Sequence, residues 1–276
     1  MKKILSFMLI LTFASSFAFA KEDIYPITRE MGSGTRGAFV EIFDILKDVR
    51  GKKIDSISPK AEVTNSTGVM MASVAGSKNA IGYVSLGALN GTIKALSVDG
   101  IAPSVANINN KQYKVFRPFN VVIRESNPLI KDFLEYAINA KSIIQKAGYI
   151  AIDSKDFSST KPSGKLTIAG SSSVTPLMEK LVESYRDVNP NAKIEIQQSD
   201  SSTGLNSLLE GIADIAMLSR SVKQSELDKN LSVKVLAIDG LAIIVNKDNP
   251  INNLSSQEIK QIFTGVIDSW EQIKGK

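Results

Sequence analysis

The chain has 276 residues, and its 33 Lys and Arg against 28 Asp and Glu give a formal net charge of +5. Histidine and cysteine are both absent, which removes the commonest general base, the commonest transition-metal ligand, disulfides and thiol nucleophiles. The charges are interspersed and aromatic residues make up only 7%, so the sequence gives little support to nucleic-acid binding. The composition therefore favours a binding protein over an enzyme, with no metal or other cofactor.

The first twenty residues predict a signal peptide. Two lysines near the start are followed by mostly apolar residues up to Phe17, and Ala18-Phe19-Ala20 fits a small-x-small cleavage site. No later stretch reaches the roughly 20 apolar residues that a membrane span needs. Because the chain has no cysteine to carry a lipid anchor, we expect a free periplasmic protein cleaved after Ala20.

After the signal peptide, a strand-like segment over residues 24–28 leads into the turn Arg29-Glu30-Met31-Gly32-Ser33-Gly34-Thr35. A helix is predicted next, because apolar residues recur at three- and four-residue spacing. The recurring positions are Phe39, Ile42, Phe43, Leu46 and Val49.

The pattern then predicts alternating strands and helices. Strands are expected over residues 61–63, 80–84, 93–98 and 115–123, and helices over residues 69–75, 129–138 and 142–147. Residues 153–165 are rich in serine and lysine, which is typical of a flexible linker. Beyond them, strands are expected over 166–169, 193–197, 214–218 and, as two strands around Asp239-Gly240, over 233–246; helices are expected over 177–188, 205–210 and 255–263. This alternation predicts an α/β fold with mixed or mainly parallel sheets.

One local arrangement occurs three times: a strand, a turn of small hydroxylated residues, and a helix. The three turns cover residues 32–35, 171–175 and 200–204. Ligands of such folds bind at the carboxyl ends of strands, against helix N-termini. Arg29 adds a forked, permanently charged donor beside the first turn. Together these features predict an oxyanion site, although each turn alone is compatible with an ordinary helix cap.

Seven stretches carry a resemblance to a known family: residues 29–36, 79–87, 168–176, 200–204, 213–220, 241–246 and 262–270. They resemble the phosphate-binding proteins of bacterial ABC-type phosphate importers. The resemblance implies a two-lobed periplasmic binding protein of type II, in which each lobe is a mixed sheet flanked by helices. It also implies that inorganic phosphate binds between the lobes, and that a monomer delivers it to a membrane permease.

The order of these stretches differs from the family pattern, in which the segment resembling residues 170–176 opens the mature protein. The chain therefore resembles a circular permutant whose family termini are joined through residues 153–165. The lobe with Arg29 and the Gly-Ser-Gly-Thr turn is then discontinuous, residues 21–111 plus 246–276. The second lobe is residues 112–245, and the hinge is expected near Gln112 and Asn246.

The resemblance also assigns roles to individual positions. It implies that Arg29 forms a forked ion pair with phosphate, and that backbone or hydroxyl donors come from Ser33, Gly34, Thr35, Ser172, Ser173 and Ser201. Ser219 stands where some family members have an aspartate that accepts the proton of phosphate and helps to exclude sulfate. A hydroxyl both donates and accepts, so discrimination against sulfate stays open.

Three nearby charged residues have other readings. Asp200 is a second candidate acceptor, although a turn aspartate more often caps its own helix. Arg36 and Arg220 are interpreted as structural or solvent-facing residues rather than as ligands.

Two alternative functions also remain: a binding protein for another oxyanion, such as sulfate, tungstate or molybdate, and a non-transport sensor or adhesin on the same fold. A serine hydrolase built on Ser33 or Ser172 is disfavoured, because the chain offers neither a histidine nor a Gly-x-Ser-x-Gly motif.

Overall fold

The computed structural model describes residues 23–152 and 155–273, so the predicted signal peptide lies outside the described residues. The strands are β1 (Tyr25–Arg29), β2 (Leu46–Val49), β3 (Lys52–Asp55), β4 (Glu62–Thr64), β5 (Ala80–Ser85), β6 (Ile93–Ala95), β7 (Ser97–Val98), β8 (Phe116–Ile123), β9 (Gly164–Ser171), β10 (Ala192–Ser199), β11 (Ile215–Leu218), β12 (Ser232–Asn246) and β13 (Asn253–Leu254). The α-helices are α1 (Gly34–Ile42), α2 (Thr67–Gly76), α3 (Val105–Asn109), α4 (Pro128–Asn139), α5 (Lys141–Lys146), α6 (Thr175–Val188), α7 (Ser201–Leu209), α8 (Gln224–Leu227) and α9 (Ser256–Thr264), and short 3-10 turns lie at Leu86–Ala88 and Trp270–Gln272. None of the helices in the described ranges is long and apolar enough to cross a membrane.

The long strand β12 joins two lobes. The main sheet has the order β10-β9-β11-β8-β12-β5-β1-β4, with β6 also paired to β12. Residues 232–240 of β12 pair antiparallel with β8, and residues 241–245 pair antiparallel with β5. Parallel pairs flank this centre, β9 with β10 and β11 on one side and β1 with β4 and β5 on the other. The result is a mixed sheet in each lobe, as expected.

In the described residues each lobe has two clusters of buried apolar side chains, and the larger cluster is its main core. One core contains Phe119, Phe133, Leu166, Ile168, Tyr185 and Leu236, and the other contains Ile24, Phe39, Tyr83, Leu241, Phe263 and Trp270. The change from one core to the other falls near Gly240 on β12, not between Val245 and Asn246. Likewise, Tyr113 and Val115 pack in the core with Phe39, although residues 112–245 were expected to form the other lobe. Which core these apolar residues join depends on the side chains that become their neighbours in the fold, and the sequence pattern does not show those neighbours.

The helix predicted to continue to Val49 is wrong, because α1 ends at Ile42. Residues 46–49 instead form β2, which pairs antiparallel with β3. The two residues between these strands, Arg50 and Gly51, have φ values of +55° and +76°. A two-residue loop with positive φ at both positions suits the right-handed twist of a hairpin. The turn chemistry at Arg50-Gly51 therefore overrides the helical spacing of the apolar residues.

The two strands predicted around Asp239-Gly240 are a single continuous strand, β12. Gly240 serves close packing instead of a turn: a Cβ there would lie 2.7 Å from Ile108 Cδ1 and 2.9 Å from Leu86 Cδ2. A register shift in the pairing with β8 occurs earlier, between Val235 and Ala237.

The described part of the expected linker is held against the second lobe. Ser159 Oγ donates to Asp132 Oδ2 at 2.7 Å, and the Thr160 N–H donates to Asp132 Oδ1 at 2.8 Å. Asn189 Nδ2 donates to the Pro162 carbonyl at 2.9 Å. Residues 159–162 are thus anchored to α4 and to the end of α6, because their backbone and hydroxyl groups find buried partners.

Candidate functional site

Four helices of the described ranges begin at the contact between the lobes. Helices α1 and α2 follow β1 and β4 in the first lobe, and α6 and α7 follow β9 and β10 in the second. The first N–H groups of a helix lack partners within the helix, and the helix dipole places positive potential there. A place where four such ends meet suits a negatively charged ligand.

Arg29, at the end of β1, is a buried cation at this contact; only 2% of its surface is exposed. Its Nε donates to Glu30 Oε2 at 2.8 Å, and its Nη2 donates to Glu30 Oε1 at 2.7 Å. The same Nη2 donates across the cleft to Ser172 Oγ at 3.2 Å. Arg36 holds the backbone of Arg29 in place, because its Nη1 donates to the Arg29 carbonyl while its Nε donates to Asp55. The guanidinium is therefore fixed in orientation and reaches the second lobe.

Buried hydroxyl groups from both lobes form a cluster beside Arg29. Thr35 Oγ1 lies 2.9 Å from Ser173 Oγ and 3.3 Å from Ser219 Oγ. Ser171 Oγ donates to Ser219 Oγ at 2.8 Å. The Ser219 N–H donates to Ser201 Oγ at 3.1 Å. All five of these side chains are buried, so the cluster is a buried polar site at the contact between the lobes.

Two glycines allow the lobes to approach this closely. A Cβ at Gly34 would lie 2.3 Å from Ser201 Oγ, and a Cβ at Gly32 would lie 2.4 Å from Asp200 Oδ1. The Ser202 N–H donates to the Gly32 carbonyl at 3.1 Å, which adds a backbone hydrogen bond between the lobes. Glycine at both positions permits this approach, because a Cβ would overlap side-chain oxygens of the opposite lobe unless those side chains moved.

Two predicted residues mainly serve their own helices. Ser33 is buried and caps α1, where its Oγ accepts from the Arg36 N–H at 3.3 Å. Asp200 caps α7: its Oδ1 accepts from the Ser202 and Thr203 N–H groups, and its Oδ2 accepts from Thr203 Oγ1. The carboxylate of Asp200 is therefore a local cap, which matches the more common behaviour of a turn aspartate.

Sequence reasoning missed Thr67, the first residue of α2. Its Oγ1 lies 3.0 Å from Ser173 Oγ, and its N–H donates to Ser172 Oγ at 3.3 Å. The signal was present, since Asn65-Ser66-Thr67-Gly68 follows a strand and precedes a helix. It is a fourth example of the arrangement that identified the other three turns.

The structural interpretation of Arg36 and Arg220 agrees with their ion pairs. Arg36 pairs with Asp55, as described above. Arg220 forms a fork with Glu226, with both nitrogen–oxygen distances at 2.8 Å, and hydrogen bonds from Arg220 help to hold the pKa of Glu226 below its usual value against the effect of burial.

A further ion pair, with both side chains fully buried, lies where β12 passes between the lobes. Arg117 Nη2 on β8 is 3.1 Å from Asp239 Oδ2 on β12, and Ser85 Oγ at the end of β5 donates to Asp239 Oδ1 at 2.7 Å. Burial raises the pKa of Asp239 to about 6, more than the attraction of Arg117 lowers it. Burial also lowers the pKa of Arg117. The ion pair lies within the second lobe, and the hydrogen bond from Ser85 connects it to β5 of the first lobe.

The chemistry of the site is that of an anion receptor. Its groups are one guanidinium, hydroxyls and backbone N–H groups, all of which can donate hydrogen bonds. Among the described residues, no group of three or more acidic side chains could hold a metal ion.

Comparisons with known proteins agree with this chemistry. A family model described as the PBP superfamily domain matches residues 2–141 and 157–276. The chain is 46% identical over 260 residues to phosphate-binding protein PstS 2 of Streptococcus agalactiae serotype V, covering 92% of this chain and 89% of that one. It is 39% identical over 266 residues to PstS 2 of Streptococcus pneumoniae serotype 4, covering 95% of this chain and 91% of that one. The match to PstS of Bacillus subtilis is 38% identical and extends over 118 residues, 42% of this chain and 39% of that one.

The fold has a solved counterpart. The crystal structure of the phosphate-binding protein of a phosphate ABC transporter from Streptococcus pneumoniae TIGR4 matches with a TM-score of 0.72 at 39% identity, covering 91% of this chain and 100% of that chain. The expected fold, a two-lobed periplasmic binding protein with a mixed sheet in each lobe, is confirmed. The chain therefore belongs to the PBP superfamily and, within it, to the family of PstS phosphate-binding proteins.

Proposed function

We propose that this protein binds inorganic phosphate between its two lobes and delivers it to the permease of an ABC-type importer. The main support is the buried guanidinium of Arg29, which lies 3.2 Å from Ser172 Oγ of the opposite lobe and beside hydroxyls contributed by both lobes. The relatives named as phosphate-binding proteins, at up to 46% identity over most of the chain, support the choice of phosphate among anions.

In this proposal each lobe contributes part of the ligand shell. Arg29 supplies the main positive charge, and the remaining donors are Ser33, Gly34, Thr35, Ser172, Ser173 and Ser201. Ser219 completes the shell with a hydroxyl that can donate or accept. A hydrogen bond that involves a charged group contributes roughly 1.5–3 kcal/mol, and a well-placed helix N-terminus adds about 0.3–1 kcal/mol. The loss of rigid-body freedom and the desolvation of polar groups offset much of this sum. An anion that touches both lobes binds the closed arrangement better than the open one, and so favours closure.

Another tetrahedral oxyanion is a second candidate ligand, and one observation favours it. Ser219 offers a hydroxyl where a proton acceptor is expected, and that hydroxyl already accepts from Ser171. The carboxylates of Glu30 and Asp200 are engaged by Arg29 and by the start of α7. A site without a free carboxylate does not require a proton on its ligand, so sulfate, molybdate or tungstate would satisfy the same donors.

We further propose that the protein works as a monomer in the periplasm after removal of residues 1–20, and that its segments are circularly permuted relative to the wider family. The collinear match to the Streptococcus agalactiae relative over 260 residues indicates the same segment order there. The shorter match to the Bacillus subtilis protein, 42% of this chain, is what a different order in that relative would produce.

Isothermal titration calorimetry tests the proposed ligand directly. The mature protein is first freed of bound anion by unfolding in urea, dialysis and refolding, and is then titrated separately with phosphate, sulfate, molybdate and tungstate. Phosphate is expected to bind most tightly, at one site per chain. Tighter binding of sulfate would favour the second candidate, and heat from none of the four anions would overturn both.

Delivery to a permease needs a separate test. Spheroplasts that contain a cognate phosphate permease but lack their own binding protein are supplied with the purified protein and radiolabelled phosphate. Uptake is expected to increase with the concentration of added protein. If uptake does not respond to added protein although the protein binds phosphate normally, the proposed delivery to a permease is rejected and the proposed phosphate binding is kept.

A further inference from the structure

Thr67 belongs to the first lobe, but its polar atoms face the second. It is 5% exposed, and it stands at the first position of α2. Its Oγ1 lies 3.0 Å from Ser173 Oγ and 3.4 Å from Ser172 Oγ, and its N–H donates to Ser172 Oγ at 3.3 Å. A single residue of the first lobe thus contacts both adjacent serines of the turn before α6.

These contacts set the direction of the Ser172 hydroxyl. Ser172 Oγ accepts from Arg29 Nη2 and from the Thr67 N–H. A hydroxyl oxygen has two lone pairs and one proton, so two donors fill its accepting capacity and its proton points elsewhere. Thr67 Oγ1 lies within reach of that proton, and a bound anion would offer a stronger acceptor. In either case Ser172 is oriented as a donor.

The position of Thr67 in its helix adds a second contribution. Helix α2 has ten residues, and Ser66 satisfies its start by accepting from the Val69 N–H at 3.2 Å. Ser66 thus fills the N-cap position, which leaves the N–H of Thr67 available to the site. The N-terminus of α2 places positive potential there, as does the N-terminus of α1 in the same lobe.

We propose that Thr67 is a positioning residue of the anion site: its N–H holds the Ser172 hydroxyl as a donor, and its own hydroxyl bridges the cleft to Ser173 and Ser172 and so favours the closed arrangement. This inference rests on the proposed function. Because the bonds of Thr67 to these serines join opposite lobes, they form only when the lobes meet. They therefore stabilise the closed, ligand-bound form and slow the release of the anion.

The test compares Thr67→Val, which keeps the branched shape and removes the hydroxyl, with Thr67→Ser, which keeps the hydroxyl. Loss of the bridging hydroxyl is expected to raise both the dissociation constant for phosphate and the rate of release about tenfold, with the association rate nearly unchanged. Thr67→Ser is expected to stay close to the wild type. The dissociation constant is measured by calorimetry, and release by rapid filtration of radiolabelled phosphate into an excess of unlabelled phosphate.

Ser66→Ala is the matched control, since it removes the cap of the same helix without removing a contact across the cleft. It is expected to lower stability in urea but to leave phosphate release unchanged. If Thr67→Val does not fold, Thr67→Ala is the second hydroxyl-free variant. Release at the wild-type rate from a folded hydroxyl-free variant would overturn the inference while leaving phosphate binding intact. Equal effects of Ser66→Ala and Thr67→Val on release would also overturn it, because the cause would then be the helix start. Absence of phosphate binding by the wild type would instead reject the proposed function.

Discussion

Replacement of Arg29 by methionine removes the main positive charge of the proposed site while keeping most of the side-chain volume. Arg29 is 2% exposed, and its Nη2 lies 3.2 Å from Ser172 Oγ. A forked guanidinium makes two charge-assisted hydrogen bonds to a tetrahedral anion, each worth roughly 1.5–3 kcal/mol. Their loss is expected to cost about 3–6 kcal/mol, which weakens binding by about 10²–10⁴-fold.

Glu30 contributes to that loss. Both of its carboxylate oxygens are engaged by Arg29, at 2.7 and 2.8 Å, and its side chain is 22% exposed. Without Arg29 this carboxylate stays beside the site and repels an anion. The double variant Arg29→Met with Glu30→Gln removes the repulsion, so it should bind phosphate more tightly than the single variant but still far more weakly than the wild type. The difference between the two variants measures the contribution of the Glu30 charge.

The assay is calorimetric titration with phosphate, and urea unfolding of each variant shows whether the fold is kept. Arg220→Met is the matched control, because Arg220 is also buried and forked to a carboxylate, that of Glu226. Its affinity is expected to stay within about threefold of the wild type, since its guanidinium is committed to a structural pair. Wild-type affinity in Arg29→Met, or an equal loss in Arg220→Met, would refute the assignment of the charge to Arg29.

Three further predictions concern close packing and buried charge. Gly34→Ala should weaken phosphate binding more than about tenfold with little change in the free energy of unfolding, because its Cβ would lie 2.3 Å from a hydroxyl oxygen of the opposite lobe. The control Gly37→Ala, whose Cβ would make an ordinary 3.6 Å contact, should bind phosphate normally. Similar affinities in the two variants would contradict this prediction. Because burial raises the pKa of Asp239 to about 6, the native state binds this proton more tightly than the unfolded state, so its contribution to the free energy of unfolding falls as pH rises from about 4 to about 6. The difference in unfolding free energy between the wild type and Asp239→Asn should therefore fall over that range, and a constant difference in urea titrations would disprove the effect. Asp132→Ala should lower the free energy of unfolding by about 2–4 kcal/mol, because its carboxylate accepts hydrogen bonds from residues 159, 160 and 185; a loss below about 1 kcal/mol would show that the anchored segment contributes little.

The sequence by itself determined the local structural features of this protein: most of its strands and helices and most of the turns before the helices at the site. Alternating apolar patterns gave most strands and helices, and small hydroxylated turns marked three of the four helix starts at the site. Arg29 beside one of these turns was compatible with a surface arginine as well as with an anion ligand, and the resemblance to phosphate-binding proteins favoured the ligand. These signals are readable because backbone propensity, helix capping and side-chain periodicity each act within a few residues.

Turn geometry and strand continuity were harder to predict. The helical spacing of apolar residues up to Val49 predicted a continuing helix, but residues 46–55 form a hairpin. Positive φ angles at Arg50 and Gly51 allow the chain to reverse there. Gly240 was predicted to separate two strands, but β12 continues through it. The absence of a side chain at Gly240 leaves room for Ile108 and Leu86 to pack against the strand. In both cases a short pattern was compatible with two structures, and long-range packing selected one.

The meeting of the lobes was decided by the tertiary structure alone. Thr67 and Ser173 are 106 positions apart, yet their hydroxyl oxygens are 3.0 Å from each other. The point where β12 leaves one hydrophobic core for the other, and the buried pair of Arg117 and Asp239 beside it, likewise depend on which strands become neighbours. Such contacts follow from how the whole chain buries its apolar surface and satisfies its buried polar groups, and no short stretch of sequence contains that information.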